Sequence, residues 1–189
     1  MKKYELTGET KEIGGVTLHR IRALIDIPEH DVKAGDLGGW IEAERNLSQK
    51  GSAWVTGSAR VMDEALVMDS ARVTGKARVM DSARVMGTAL VMGSAWVTGS
   101  ARVMDEALVM DSADYITIGA IGSRDDTTTF YRGTDGGIYV TCGCFNGTID
   151  DFAAKVKQVH AGTKHERTYL LAVELAKAQI GTTEAERKC

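Results

Sequence analysis

No run of apolar residues in this 189-residue chain is long enough to span a membrane, and behind the basic start, Met1-Lys2-Lys3-Tyr4-Glu5, there is no apolar stretch of the secretory kind. A soluble cytoplasmic protein of one or two domains is expected. Neither sign of charge dominates. Segments 1–50, 51–113 and 114–189 carry 8, 6 and 9 basic residues against 9, 7 and 10 acidic ones. That balance excludes the basic stripe of a nonspecific nucleic-acid binder and the acidic face of a strong DNA mimic, while leaving shape-specific recognition of a protein–nucleic-acid complex open. Cysteine is scarce: Cys142, Cys144 and Cys189 make an odd count that speaks for reduced thiols and against a disulfide framework. Histidine is absent between residues 31 and 159; the four are His19, His30, His160 and His165. The centre of the chain therefore has no imidazole to act as a general base or to hold a metal.

What fills that centre is a repeat. Ten six-residue blocks run without a gap from Gly51 to Met110, most of them reading Gly/Asp, a small or polar residue, Ala, Arg/Leu/Trp, Val, Met/Thr. Alternation puts Ala and Val on one face of a short strand (Ala59 and Val61, Ala65 and Val67, Ala71 and Val73) and turns the residue between them outward. The Gly or Asp that follows, such as Gly57, Asp63, Asp69 or Gly75, tolerates the left-handed backbone that a corner demands. So short a strand cannot bury its Val alone, so the blocks must stack as a solenoid. Six residues per side suit a three-sided coil, and the expected fold is mainly β: a short left-handed parallel β-helix with a β cap over 1–50, a solenoid over 51–113 and an α+β module over 114–189. At roughly 4.8 Å per coil the prism is only about 16 Å tall. The segment from Gly51 to Ala71 recurs letter for letter from Gly93 to Ala113, seven blocks on. Seven is not a multiple of three, so the copies are expected on different sides.

In the cap, Tyr4–Thr7 and Val16–Ile27 read as strands around Gly14-Gly15, and Gly38-Gly39-Trp40-Ile41 joins the repeat phase with Ile41 in the Val place and Leu47 following. Two extra residues before Val55 then break the register. After Ala113 three strands are expected, at Tyr115–Ile118, Thr127–Arg132 and Ile138–Cys142. A helix opens at a Thr148-Ile149-Asp150-Asp151 cap with Phe152, Val156 and Val159 on one face. A second runs from about Glu166 to Ile180 and carries Leu170, Leu171, Val173, Leu175 and Ala178.

Few residues point to chemistry. Cys142-Gly143-Cys144-Phe145, with His160, His165 and Cys189, offers thiolate and imidazole ligands, but Cys-x-Cys lacks the spacing of common zinc sites. The preferred reading has no metal and no cofactor, with Cys142 in the core and Cys144 packed near the helix start. Arg124, Tyr131, Arg132 and Tyr139 cluster around the hairpin and are the candidates for partner binding, because Arg with Tyr anchors interfaces and stacks on bases. Outward apolar positions form a second group. Met68, Met86 and Met104 are 18 residues apart and should stack, Met92 should stack with Met110, and Trp54, Trp96, Leu66, Leu90 and Leu108 are assigned to a neighbouring column. That surface predicts contact with the C-terminal helices or self-association, with an oligomer of prisms the preferred outcome.

The stretch Val32-Lys33-Ala34-Gly35-Asp36-Leu37-Gly38-Gly39-Trp40-Ile41, followed by Leu47-Ser48 and the Ala-x-Val blocks, resembles bacterial hexapeptide-repeat proteins of the acetyltransferase type. The tail, from Thr129-Phe130-Tyr131-Arg132 through Cys142-Gly143-Cys144-Phe145-Asn146-Gly147-Thr148, resembles a C-terminal module of phage and prophage proteins of gut Firmicutes. The second resemblance implies a mobile-element context, in which small non-enzymatic proteins block host defences, CRISPR nucleases among them. The leading expectation is accordingly a non-enzymatic, phage-encoded inhibitor that binds a host defence nuclease or its nucleic-acid complex. An acyltransferase relative using acetyl-CoA and a self-assembling structural phage protein are the alternatives.

Overall fold

A computed structural model describes residues 2–181. The chain forms β1 (Tyr4–Ile13), β2 (Val16–Ala23) and β3 (Leu37–Ile41), then ten two-residue strands that begin every sixth residue, from β4 (Trp54–Val55) to β13 (Leu108–Val109). Each strand pairs in parallel with the one 18 residues on: Trp54 with Arg72, Arg72 with Leu90, Leu90 with Leu108. The coils thus build three ladders, β4-β7-β10-β13, β6-β9-β12 and β5-β8-β11, the sides of a parallel β-solenoid. Every Ala and Val of the blocks from Ala53 to Val109 is buried inside. The two copies of the duplicated segment begin on different sides, with Trp54 in the first ladder and Trp96 in the third.

The corners follow from the residue types. From Gly51 to Asp105 all ten take left-handed φ, between 51° at Asp105 and 69° at Gly75. Aspartate does a second job there: Asp63 Oδ2 accepts the Asp81 N–H of the next coil at 3.1 Å, and Asp81 Oδ2 accepts that of Gly99 at 2.8 Å. Glu42 Oε2 extends the same line below by accepting Asp63 N–H at 2.6 Å.

The cap over 1–50 is continuous with one side of the solenoid. β3 pairs in parallel with β5, Trp40 on Arg60 and Ile41 on Val61, and Leu47 bridges Val67. The β1–β2 hairpin then adds two antiparallel strands to make a six-stranded sheet. β1 runs to Ile13, past the expected Thr7, because its partner β2 stays in register around the Gly14-Gly15 turn. Tyr4 packs edge-on against Trp54 with ring centroids 6.5 Å apart, and its hydroxyl donates to Leu47 O at 2.7 Å. Lys3 is buried beside it, with Nζ donating to Ala53 O at 2.8 Å.

The other end is closed by β14 (Tyr115–Ile121), β15 (Asp126–Arg132), β16 (Ile138–Cys142) and β17 (Phe145–Thr148), an antiparallel sheet in sequence order. Alternation sorts its residues. Phe130, Ile138 and Val140 face α1 (Ile149–His160) and α2 (Lys164–Ile180), whereas Tyr115, Tyr131 and Tyr139 face the solenoid. β17 lies beyond the three strands expected. As anticipated, Thr148 caps α1 by accepting Asp151 N–H at 3.1 Å. The buried stripe of α2 is Tyr169, Ala172, Val173, Ala176 and Ile180; Leu171 and Leu175 are exposed.

Two outcomes test this architecture. A Cβ on Gly87 would stand 2.5 Å from Asp105 N, whereas one on Gly99 meets nothing within 4 Å. Both glycines have φ of 66°, so Gly99→Ala costs only the left-handed penalty of about 1–2 kcal/mol. Gly87→Ala adds a backbone clash, and its urea midpoint falls well below that of Gly99→Ala; equal midpoints would show that these corners are not stacked. Burial also holds the Lys3 ammonium down at about 8 from 10.5. Between those values the unfolded chain binds more protons, so folding stability rises with pH across that window. Lys3→Met flattens the rise in unfolding free energies measured at successive pH.

Candidate functional site

The four residues expected to bind a partner do not form one exposed patch. Tyr131 lies next to the end of β15 on its solenoid face and is buried against the solenoid core. Its hydroxyl bonds Thr141 Oγ1 at 3.3 Å and Asn146 Oδ1 at 3.1 Å, and burial pushes that hydroxyl up to about 12. Arg132 is buried too. Its Nε donates to Asp114 Oδ1 at 2.9 Å, and Nη2 donates to the carbonyls of Ile180 and Gly181, at 3.0 Å for the latter. One guanidinium thereby ties the end of the solenoid to the end of α2, and the proposed contact role of Tyr131 and Arg132 gives way to an internal one. The reason is that this sheet is covered on both faces. Tyr139 is half-buried, stacked on Tyr131 at 6.3 Å, with its hydroxyl donating to Asp135 Oδ2 at 2.9 Å. Only Arg124 is exposed.

The expected oligomer surface is also redistributed. Trp54 is covered by Tyr4 and lies in the core, so it is lost to any interface between chains. Trp54, Trp96, Leu66, Leu90 and Leu108 are not one column. The mid-strand residues fall on three sides as Trp54–Arg72–Leu90–Leu108, Leu66–Arg84–Arg102 and Arg60–Arg78–Trp96. Arginine interrupts each apolar column. Met68, Met86 and Met104 follow consecutive strands of one ladder, and Met92 and Met110 follow those of another, all half-buried, with Met104 packed on the core. The C-terminal helices pack on the far side of their sheet from the solenoid.

Cys142 is half-buried and accepts Thr128 Oγ1 at 3.2 Å, while Cys144 is exposed at the hairpin turn rather than packed at the helix start. Cys189 lies outside the described residues. Among the described residues no three histidine, cysteine or acidic side chains are placed to hold a metal. No helix among them is long and apolar enough to cross a membrane.

A further surface joins Trp96, expected above at an oligomer interface, to Trp40 and three arginines that the sequence reading did not single out. The six-stranded sheet aligns Arg20, Trp40, Arg60, Arg78 and Trp96 outward across its strands. Lys11 Nζ sits 3.8 Å from the centre of the Trp40 ring, with Arg20 on the same ring at 5.6 Å, and Arg78 stacks on Trp96 at 4.3 Å. These are cation–π pairs, and they hold long side chains in place. Trp96 is 47% exposed, the one large apolar side chain so exposed among the described residues of the coils. Arg20 pairs with Glu9 at 3.3 Å, whereas Arg60 and Arg78 are register partners on adjacent strands with no ion pair among the described residues. Burial, with the charges of Arg60 and Arg20, brings the Lys11 ammonium down to about 8. The 18-residue spacing of 60, 78 and 96 was visible in the sequence; the juncture with Trp40, across the register break, was not.

If Arg132 is an internal tie, Arg132→Ala strips a buried carboxylate of its guanidinium and costs roughly 3–5 kcal/mol. Chemical denaturation measures the loss, and hydrogen exchange localises it to α2; a variant of unchanged stability would return Arg132 to a surface role.

The chain matches no protein-family model, and no curated protein matches its sequence.

Proposed function

We propose that this protein is a non-enzymatic binding protein that docks a partner against the arginine–tryptophan stripe of its solenoid. The observation that carries the reading is Trp96, exposed on a closed solenoid with Arg78 stacked on it. Both ends of the coil stack are covered within the chain, so a partner meets a side, and Trp with Arg is the pair that dominates interface energetics. Arg60 and Arg78 are like charges on adjacent strands, an arrangement that costs stability when left alone and is relieved by an acidic surface. A nuclease carrying its nucleic acid presents such a surface. The resemblance of the tail to phage and prophage modules supports the same target class, a bacterial defence effector such as a CRISPR nuclease, in the cytoplasm of the host cell. In this reading the solenoid is a left-handed β-helix of hexapeptide repeats, and the Met68–Met86–Met104 ladder is the surface for self-association.

The test is inhibition of purified CRISPR nuclease effectors in a cleavage assay, with wild type and Trp96→Ala/Arg78→Ala side by side. The expected result is inhibition of one effector class by wild type and at least a tenfold weaker effect of the double variant at unchanged melting temperature. Inhibition retained by the folded variant would sink the stripe, and a panel untouched by wild type would sink the nuclease target.

A further inference from the structure

The C-terminal module holds a cleft on the side of its sheet away from the solenoid. Its volume is about 410 Å³, within the range of about 300–1,000 Å³ that takes small organic ligands. It opens between the β16–β17 turn and the two helices. Its wall is aromatic: Phe145 and Phe152 have ring centres 5.2 Å apart, Phe152 and Tyr169 5.5 Å, and Tyr169 and His160 5.6 Å. Two cations, Arg124 and Lys155, lie on the same wall with the carboxylate of Asp126. Among the described residues Arg124 has no hydrogen bond or ion pair, and Lys155 reaches only Gln158, at 3.4 Å.

Two glycines shape the cleft. Gly122, at φ 79°, lies so close to Tyr169 that a Cβ there would overlap its hydroxyl. Gly143, at φ 59°, opens the tight β16–β17 turn, and a Cβ on it would stand 3.3 Å from Arg124 Nη1. The turn backbone therefore gives the guanidinium the place it occupies. Both positions are left-handed, so glycine answers a backbone need as well as a spatial one.

We infer that this cleft binds a nucleoside monophosphate or a close nucleotide relative, with the base against the half-buried Phe145 over a floor of the buried Phe152 and Tyr169 rings, and the phosphate on Arg124 and Lys155. Aromatic faces accept any base, a stacking interaction worth about 1–3 kcal/mol. The guanidinium supplies a planar fork for phosphate oxygens and the ammonium a point charge. Asp126 is left to accept from a sugar hydroxyl or a base amino group. A simple anion would use only the cations and a neutral apolar compound only the rings. The cleft offers both, so the combination selects the ligand class. This site is independent of the solenoid stripe and lies on the opposite face of the sheet from it.

Isothermal titration calorimetry of the full chain tests it, using AMP, GMP, CMP and UMP, with inorganic phosphate and the matching nucleosides as partial ligands. At least one nucleotide is expected to bind, with phosphate alone and nucleoside alone each weaker by tenfold or more. Arg124→Ala and Lys155→Ala change exposed side chains, so they keep the melting temperature while each lowers nucleotide affinity at least tenfold. Val159→Trp, which fills the cleft from an exposed position on α1, abolishes binding in the folded protein. Three results overturn the assignment: no heat from any nucleotide, phosphate binding as tightly as nucleotide, or nucleotide binding unchanged when Arg124 and Lys155 are both replaced.

Discussion

Everything in this molecule hangs on the hydrogen-bond ladder between coils. A two-residue strand has almost no stability of its own, and its peptide groups find partners only in the coil above or below, as when Arg60 N–H donates to Ala77 O and Met62 N–H to Val79 O. Such a stack has no natural end, and an open last coil would expose unpaired N–H groups to any passing chain. The chain solves the two ends by different chemistry. At the start, an antiparallel hairpin widens one side into a six-stranded sheet, and Tyr4, Lys3 and Gln49 tie it to the first coils. At the finish, side-chain oxygens replace the missing coil: Tyr115 Oη accepts Thr98 N–H, Thr129 Oγ1 accepts Arg102 N–H, and Asp114 Oδ2 accepts Met110 N–H.

This termination explains where binding surfaces remain. Hydroxyls and an arginine that would suit an interface are consumed inside, because Tyr131 and Arg132 stand on a sheet covered by the solenoid on one face and by two helices on the other. What is left is the lateral stripe, where cations and indoles are held by each other, and the outer cleft, where turn glycines bring Arg124 and Tyr169 into place. The sheet separates the two. A ligand in the cleft and a partner on the stripe therefore address different layers of one body.

Much of the architecture was legible in advance because period is a strong signal. The Ala/Val alternation named the buried residues one by one, the Gly/Asp positions named the corners, and Trp40-Ile41 joined the repeat phase before the repeats began, though the side that it extends was not legible. Other features were hidden for physical reasons. β17 reads Phe145-Asn146-Gly147-Thr148, with little strand propensity, and exists because β16 is there to pair with it. In α2 the apolar residues Leu170, Leu171, Val173, Leu175 and Ala178 do not by themselves single out one face, and close packing on the sheet selects Tyr169, Ala172, Val173, Ala176 and Ile180. The cleft draws on residues 123 to 169, separated along the chain and brought together only by a sheet, a turn and two helices.

The duplicated segment divides the two kinds of information most clearly. Its 21 letters are the same from Gly51 to Ala71 and from Gly93 to Ala113, and in both copies they make strands at the same intervals with the strand-flanking Ala and Val inside, through Val67 in the first and Val109 in the second, since alternation and corner chemistry are local. The rest is decided by neighbours. Trp54 is 1% exposed under Tyr4 of the cap, while its twin Trp96 is 47% exposed beside Arg78. Asp69 turns a corner at φ 59°, while its twin Asp111, with no coil to follow, takes φ −145° and caps a short helical turn into the C-terminal sheet. Sequence alone determined which residues of the repeat face inward, because that depends on a period of two; tertiary structure decided which tryptophan meets solvent, because that depends on what the rest of the chain lays over it.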